Sequence, residues 1–421
     1  MKIAIFTDCY LDLTGGIRTS IDAQKSELEK RGHTVYIFTS SFPRPAEELK
    51  LLAKKNIFPV PSCRLCFRGL TPVSRRPAIV EQWIMKYFPE IQDFDIFYLH
   101  YEAGVSIAGL HLGRALNIPT VQVMHGREDV GETQIIPFGF RSIVAFLLNW
   151  FHSWYIPHEK IITKDNYLAN SYAKTKMWTL MVNHANYADL VITPSEHFKK
   201  KLVHYGVDRV VKVFPNSLSE SHYPANPKVK TLKPGQTIHM IWHSRVSAEK
   251  RIIPFLKALD ELDEDYQLDV YGNGGDYFRA KRFASLHRLN VVFHGNTDFK
   301  TISVKLPKSH LDILASYNFD TFGMALIEAE AAGVPVFFCD PDMKEVVPKG
   351  SYVLSKNETP EEMANALSDL IEHPERIQKM SEVMLAHREE VLISHRIETL
   401  EKIFESVLFK KPKNKSTSSK E

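Results

Sequence analysis

Ile3-Ala-Ile-Phe6, Gly15-Gly16, Thr19 through Lys30, Gly32-His33 and Val35-Tyr-Ile-Phe-Thr39 open the chain and decide its architecture. A short, continuously apolar segment is followed by a glycine turn and a helical stretch. A second glycine turn then leads into another apolar, β-prone segment. The connections are short, so the run reads as a βαβ unit. Asp95-Ile-Phe-Tyr-Leu99, Thr120-Val-Gln-Val-Met124 and Leu190-Val-Ile-Thr193 continue the alternation. Strands that are apolar along their whole length belong to a parallel sheet covered by helices on both faces. The first apolar run is too short for a signal peptide, and no segment reads as a clean transmembrane helix.

The pattern breaks near Asn216. Ser217 to Gln236 holds three prolines and several lysines without periodicity, and reads as a linker. A second series begins at Ile238-His-Met-Ile-Trp242 and continues through Leu268-Asp-Val-Tyr271, Val291-Val-Phe293 and Val336-Phe-Phe338. The 421 residues are therefore expected to form two doubly wound α/β domains, 1–216 and 217–387. A long helical stretch runs from Pro374 past Leu400; its last part, about 388–409, is expected to pack back on the first domain. The basic, serine-rich tail 410–421 is expected to be disordered. Ligands of such folds lie at the carboxyl ends of the strands, here in the cleft between the domains.

Composition excludes several classes. Charged residues are 24% and the formal net charge is +3, so bulk charge does not mark a nucleic-acid binder. Cys63-Arg-Leu-Cys66 is a lone pair without partners at zinc spacing and reads as two reduced thiols. Asp93-Phe-Asp95 precedes a strand and reads as surface and cap, not as a metal site.

Three segments of the second half carry chemistry. In Asp320-Thr-Phe-Gly-Met-Ala-Leu-Ile-Glu328-Ala-Glu-Ala-Ala-Gly333-Val-Pro335-Val336, two carboxylates flank a turn that opens a short helix. Phe322-Gly323 gives a tight entry, and helix N-terminal amides can hold anions or hydroxyls. His243-Ser-Arg245-Val-Ser-Ala-Glu-Lys250 follows a strand directly. Arginine and lysine there suit a diphosphate, the first as a bidentate fork and the second as a mobile point charge. Tyr271-Gly-Asn-Gly-Gly275 again follows a strand and permits close backbone approach.

Together these segments resemble the retaining glycosyltransferases of family 4, which have the two-domain GT-B fold. The family pattern, Glu-x-Phe-Gly-x-x-x-x-Glu-Ala-x-Ala-x-Gly-x-Pro-Val, is matched from Phe322 to Val336. It departs at Asp320, whose carboxylate reaches roughly 1.5 Å less than that of glutamate. Arg245 and Lys250 match the family's R-x-x-x-x-K element, and Gly272 and Gly274 its glycine loop. Gly15-Gly16, the Asp95-to-His100 strand end and Pro194-Ser195 also match family landmarks. The resemblance covers about residues 1 to 405.

The resemblance implies a set of roles. Glu328 would bind ribose hydroxyls and Asp320 the hydroxyls of the transferred sugar. Arg245 and Lys250 would neutralise the diphosphate leaving group. Phe322, Gly323 and Met324 would offer backbone amides, Gly16 would approach the diphosphate from the first domain, and Gly272 would line the nucleotide side. His125, in Val123-Met-His125-Gly126, matches a histidine near the reaction centre. The family implies no metal: fixed cations and helix-end dipoles can carry the charge of the departing nucleoside diphosphate.

The acceptor is addressed by Phe138-Gly-Phe-Arg-Ser142-Ile-Val-Ala-Phe-Leu-Leu-Asn149-Trp-Phe-His152-Ser-Trp-Tyr-Ile156. Ser142, Ala145, Asn149 and His152 form one stripe at helical spacing, and Phe146, Trp150, Phe151 and Trp154 lie on the other faces. The segment suits either an interfacial helix or a buried core helix. Arg64, Phe67, Arg68, Arg75 and Arg76 form a basic, partly aromatic stretch, and Lys199-Lys-Lys201 another; such patches attract anionic lipid. His100, Tyr101 and Glu102 stand at a strand end facing the cleft and are acceptor-side candidates. Members of the resembling family that glucosylate diacylglycerol at the cytoplasmic leaflet share this style of domain. The expectation is thus transfer of a hexose, glucose, from a UDP-sugar to a membrane lipid, by a cytoplasmic protein peripheral on the inner face of the membrane. A soluble or polymeric acceptor, or a non-catalytic binding subunit, are the alternatives.

Overall fold

A computed structural model describes residues 1–12, 15–67, 71–130, 136, 138–159, 165–222 and 226–409. The tail 410–421, Arg68 and the side chains of Arg64, Cys66 and Phe67 lie outside the described residues.

The first half builds a seven-stranded parallel sheet from β1 (Lys2–Thr7), β2 (Thr34–Thr39), β3 (Ile57–Pro59), β6 (Ile96–His100), β7 (Thr120–Val123), β8 (Leu190–Thr193) and β9 (Val211–Val213), in the order β3-β2-β1-β6-β7-β8-β9. β4 (Ser62–Phe67) and β5 (Thr71–Ser74) form a separate antiparallel hairpin. The second half builds a six-stranded parallel sheet from β10 (Ile238–His243), β11 (Tyr266–Tyr271), β12 (Val291–Gly295), β13 (Leu311–Leu314), β14 (Val336–Phe338) and β15 (Tyr352–Leu354), in the order β12-β11-β10-β13-β14-β15.

β1 shows why the sheet is doubly covered. Ile3 and Ile5 point to a layer made by the helices Gly16–Lys30 and Ile393–Leu408, while Ala4 and Phe6 point to the layer of Pro77–Tyr87 and Gly104–Ala115. All four are fully buried, which a strand with two covered faces requires. In both sheets the first strand is flanked by neighbours on opposite sides, β2 and β6 around β1, β11 and β13 around β10. The chain direction of connection reverses there, leaving a crevice at the carboxyl ends.

Three local readings are corrected. The first helix begins at Gly16 rather than Thr19, directly after extended Gly15. The stretch from Pro374 is two helices, Glu375–His387 and Ile393–Leu408, not one. Between them the chain crosses back to the first domain beside the linker: the Leu218 amide donates to the Val391 carbonyl at 2.8 Å and the Ile393 amide to the Leu218 carbonyl at 2.9 Å. Backbone groups spent on that bridge cannot serve an unbroken helix. Beyond the break, Ile397, Leu400 and Phe404 enter the first domain's core, Phe404 edge-on to Tyr98 with ring centroids 5.1 Å apart. Glu401 locks the contact to Arg31 and His33 at 3.0 and 2.7 Å. Finally, Lys201 is not part of a free basic patch. It reaches across the cleft to Asn318 Oδ1 at 2.9 Å and Asp342 at 3.0 Å, because the helix that carries it faces the second domain.

Candidate active site

On the second domain, three loops meet at the carboxyl ends of β10, β11 and β13. The loop after β10 carries Arg245 and Lys250, and the glycine loop after β11 packs directly against it. A Cβ on Gly272 would lie 2.1 Å from the Ser244 carbonyl oxygen, and one on Gly274 would lie 2.4 Å from that of Val246. Both backbones are in contact, so neither position has room for a side chain. Gly272 also has φ 143, a conformation other residues seldom adopt.

The segment after β13 brings Asp320 to Lys250. The Lys250 ammonium donates to both Asp320 oxygens at 2.7 and 2.9 Å, and both side chains are largely shielded from solvent. Ser316 donates to the same carboxylate. Gly323 then adopts φ 71, and the helix Met324–Ala331 starts with no side chain capping its N-terminus. An N-terminus left without a side-chain acceptor is an arrangement suited to an anion. Arg245 is half-exposed and lies 3.2 Å from Glu249.

Glu328 has a partner that sequence reading did not single out. His243, at the end of β10, is sandwiched between Asp312 and Glu328: Nε2 to Asp312 Oδ2 is 3.2 Å and Nδ1 to Glu328 Oε2 is 3.3 Å. Burial alone lowers the imidazole pKa, but the two carboxylates outweigh it and raise it to about 10. A cationic His243 therefore holds Glu328 in place. Asp312 escaped notice because β13 is only four residues long; the available signal was His243 itself, the first residue of the quoted Arg245–Lys250 loop.

The first domain faces this constellation through Gly16 and His125. A Cβ on Gly16 would lie 2.8 Å from Met324 Cγ, so the glycine lets the two domains approach. His125, half-buried after β7, contacts His100 (Nε2 to Nδ1, 2.7 Å) with the rings stacked. Burial lowers His125 to about 4 and His100 well below the usual range, so both are neutral at pH 7. His100 is fully buried. It stands behind His125 and is not available to an acceptor, a correction to its place among the acceptor-side candidates. The His125 carbonyl accepts from Thr321, and Arg127, ion-paired with Asp129 at 2.8 Å, donates to Asn318 Oδ1 at 3.0 Å. These contacts tie β7's end to the Asp320 loop; the sequence offered no periodic signal for them.

The other residues read as acceptor-side candidates gather elsewhere in the first domain. Glu102, 8% exposed, and Arg75 and Arg76 border a cavity of about 330 Å³ next to the helix Arg141–Ser153. That helix is inverted relative to a core helix. Ala145, Asn149 and His152 face inward at 3%, 6% and 3% exposure, with Asn149 donating to the Lys176 carbonyl at 2.9 Å. Ser142, the fourth member of the stripe, is exposed. Phe146, Trp150, Phe151 and Trp154 are 44–57% exposed, joined by Ile143 and Leu147. Of the two readings of this segment, the buried core helix is excluded. Among the described residues, no helix is long and apolar enough to cross a membrane.

Comparison with known proteins places this architecture. Residues 14–221 match Glycosyltransferase Family 4, and residues 225–384 match Glycosyl transferases group 1. The chain is 24% identical over 361 residues to an alpha-monoglucosyldiacylglycerol synthase of Streptococcus pneumoniae, covering 80% of this chain and 70% of that protein. It is 22% identical over 400 residues to the alpha-monoglucosyldiacylglycerol synthase of Acholeplasma laidlawii, covering 90% and 91%. The structure of Anabaena HepE in complex with UDP superposes with a TM-score of 0.67 at 16% identity, over 96% of this chain and 100% of that one. With both halves matched and two Rossmann-like domains closing on one cleft, this chain belongs to the family 4 glycosyltransferases and has the GT-B fold.

Proposed function

We propose that the protein transfers glucose, with retention and without a metal, from a UDP-sugar to a membrane lipid such as diacylglycerol. The donor occupies the three-loop constellation. Glu328, held by His243, takes the ribose hydroxyls, and Asp320 takes hydroxyls of the hexose. Lys250 and Arg245 face the diphosphate, together with the amides of Phe322, Gly323 and Met324; Gly16 closes on it from the first domain, and Gly272 lines the nucleotide. The Lys250–Asp320 pair leaves Lys250 poised to turn to the leaving phosphate as negative charge develops there, when its attraction counts most. His125, neutral at pH 7, sits beside the reacting sugar.

The lipid acceptor rests on one observation, the outward aromatic face of Arg141–Ser153. A patch containing Phe146, Trp150, Phe151 and Trp154 is costly to leave in water and suits the headgroup–acyl boundary of a bilayer. Exposed Arg75 and Arg76 beside it favour an anionic leaflet. Attachment is then peripheral, at the inner face of the membrane. The similarity to two alpha-monoglucosyldiacylglycerol synthases supports the same acceptor class.

The test is to incubate the full chain with UDP-, GDP- and ADP-sugars and anionic vesicles containing diacylglycerol. Glucosyl lipid formed from UDP-glucose is the expected product. Sugar transfer to a soluble glycan with none to lipid would overturn the acceptor assignment, and no turnover of any donor would point to a binding subunit.

A further inference from the structure

The cavity beside the aromatic helix has an unusual lining. Its walls are apolar: Val73, Pro77, Ile107, Leu148, Met177 and Leu180. Its floor is acidic, formed where Asp8, Glu102 and Glu128 follow β1, β6 and β7. Asp8 is spoken for. Its carboxylate accepts from the Val105 amide at 3.1 Å and the Ser106 amide at 3.4 Å, clamping the start of the helix Gly104–Ala115. Glu102 is different. It is 8% exposed, it borders the cavity, and its Oε1 has no hydrogen-bond partner among the described residues. A buried polar atom without a partner is costly, and natural structures rarely leave one without a reason. A ligand hydroxyl entering the cavity would relieve that cost.

We infer that this cavity is the acceptor site, that it takes a neutral glycerolipid with a free hydroxyl, and that Glu102 receives that hydroxyl while the apolar wall holds the first carbons of a chain. The volume, about 330 Å³, is that of about eleven liquid waters at ~30 Å³ each, enough for a glycerol headgroup but not for two whole acyl chains. The chains must leave along the helix Arg141–Ser153, whose Leu148 and Phe151 border the cavity and whose Phe146 and Trp150 face outward. Membrane docking and acceptor entry thus use one helix. The acids also discriminate. A floor of carboxyl groups gives a phosphate no positive partner, so anionic phospholipids gather at Arg75 and Arg76 on the rim but are kept out of the site. Gly104 shapes the corner: a Cβ there would lie 2.2 Å from Ser74 Oγ, so any side chain would displace the Ser74 hydroxyl.

The inference rests on the lipid-acceptor reading above but fails separately from it. Calorimetry of the full chain with dioctanoylglycerol, trioctanoylglycerol, glycerol and dioctanoyl phosphatidate reads the site without any donor. Dioctanoylglycerol is expected to bind; the hydroxyl-blocked triester, the phosphatidate and glycerol alone are expected to bind at least tenfold more weakly. Glu102→Ala should weaken dioctanoylglycerol about tenfold, the loss of one good hydrogen bond. Glu102→Gln keeps an acceptor oxygen in place and should stay within threefold, and Leu148→Trp, which fills the cavity, should weaken binding as much as Glu102→Ala. In turnover assays both weakening variants should raise the KM for the lipid and leave the KM for UDP-glucose unchanged. Equal binding of the triester, or wild-type lipid binding by Leu148→Trp and by Glu102→Ala, would overturn the site. If the wild type binds dioctanoylglycerol yet transfers no sugar to it, the activity assignment falls and the site stands.

Discussion

The two sides of the cleft are built on opposite principles. On the side proposed for the donor, the charged groups stand in local pairs: Lys250 with Asp320, Arg245 with Glu249, and His243 with Asp312 and Glu328. On the side proposed for the acceptor, the cavity sets apolar walls over an acidic floor, Glu102 Oε1 there has no hydrogen-bond partner among the described residues, and the neighbouring helix turns its aromatic face outward. A charged, water-soluble ligand can be met by exchanging ion pairs at little net cost, because the groups stay solvated or paired throughout. A lipid offers area and one hydroxyl, so its site must hold apolar surface open and wait. The contrast predicts that single substitutions on the donor side act on turnover, and those on the acceptor side act on binding.

The largest expected effect tests the donor half. Lys250→Ala removes the cation proposed to face the leaving phosphate and should lower kcat by about 10²–10³ with UDP-glucose, the scale of losing one preorganised electrostatic partner. An unchanged circular dichroism spectrum would show that the fold survives. Full activity would break the comparison at its centre. Glu328→Ala should cost less at saturation and raise the KM for the donor, since the ribose does not change charge during the reaction.

On the acceptor side, Trp150→Ser combined with Trp154→Ser should reduce partition into anionic vesicles about thirtyfold, from about 1 kcal/mol for each half-exposed aromatic. UDP binding should not change. Sedimentation with vesicles measures the first and calorimetry the second; a shift in UDP affinity would mean the two halves are not independent.

His243 provides a smaller, pH-dependent test of the donor pairs. Its folded pKa, about 10, lies above the ordinary histidine value, so its contribution is complete below about pH 6.5. It declines as pH rises and is gone above about 10. His243→Gln should therefore destabilise by about 3 kcal/mol at pH 6, where it strands buried Asp312, and by much less at pH 10. Urea melts at the two pH values read the difference; an equal loss at both would deny the charged state. The smallest effect is expected from Asp320→Glu. The added methylene should keep the Lys250 pair and change kcat less than tenfold, with any larger change appearing between glucose and galactose donors.

Much of the fold was legible because parallel strands buried on two faces are apolar throughout. The strands at Ile3, Val35, Thr120, Leu190, Ile238 and Val336 all fall where such runs stand. The strands not read, β3, β9, β13 and β15, are three or four residues each, and unlike the equally short β7, β8 and β14 they do not stand out as separate apolar runs. Runs of that length carry no period, and sheet pairing rather than local preference makes them strands. Asp312 was hidden for the same reason. The break at Leu392 was hidden because each flank is a good helix and only the bridge to Leu218 parts them.

By itself, the sequence determined the two doubly wound domains and singled out the loop residues proposed to hold the donor, because loop chemistry after a strand is written in consecutive residues: Arg245 with Lys250, Asp320 with Glu328. Only the tertiary structure decided which way the helix Arg141–Ser153 faces. Its stripe of Ala145, Asn149 and His152 is compatible with solvent or core, and what turns it inward is partners distant in sequence: the Lys176 carbonyl for Asn149 and His184 for His152 at 3.1 Å. Once those buried polar groups are satisfied inside, geometry leaves the aromatics no place but the surface.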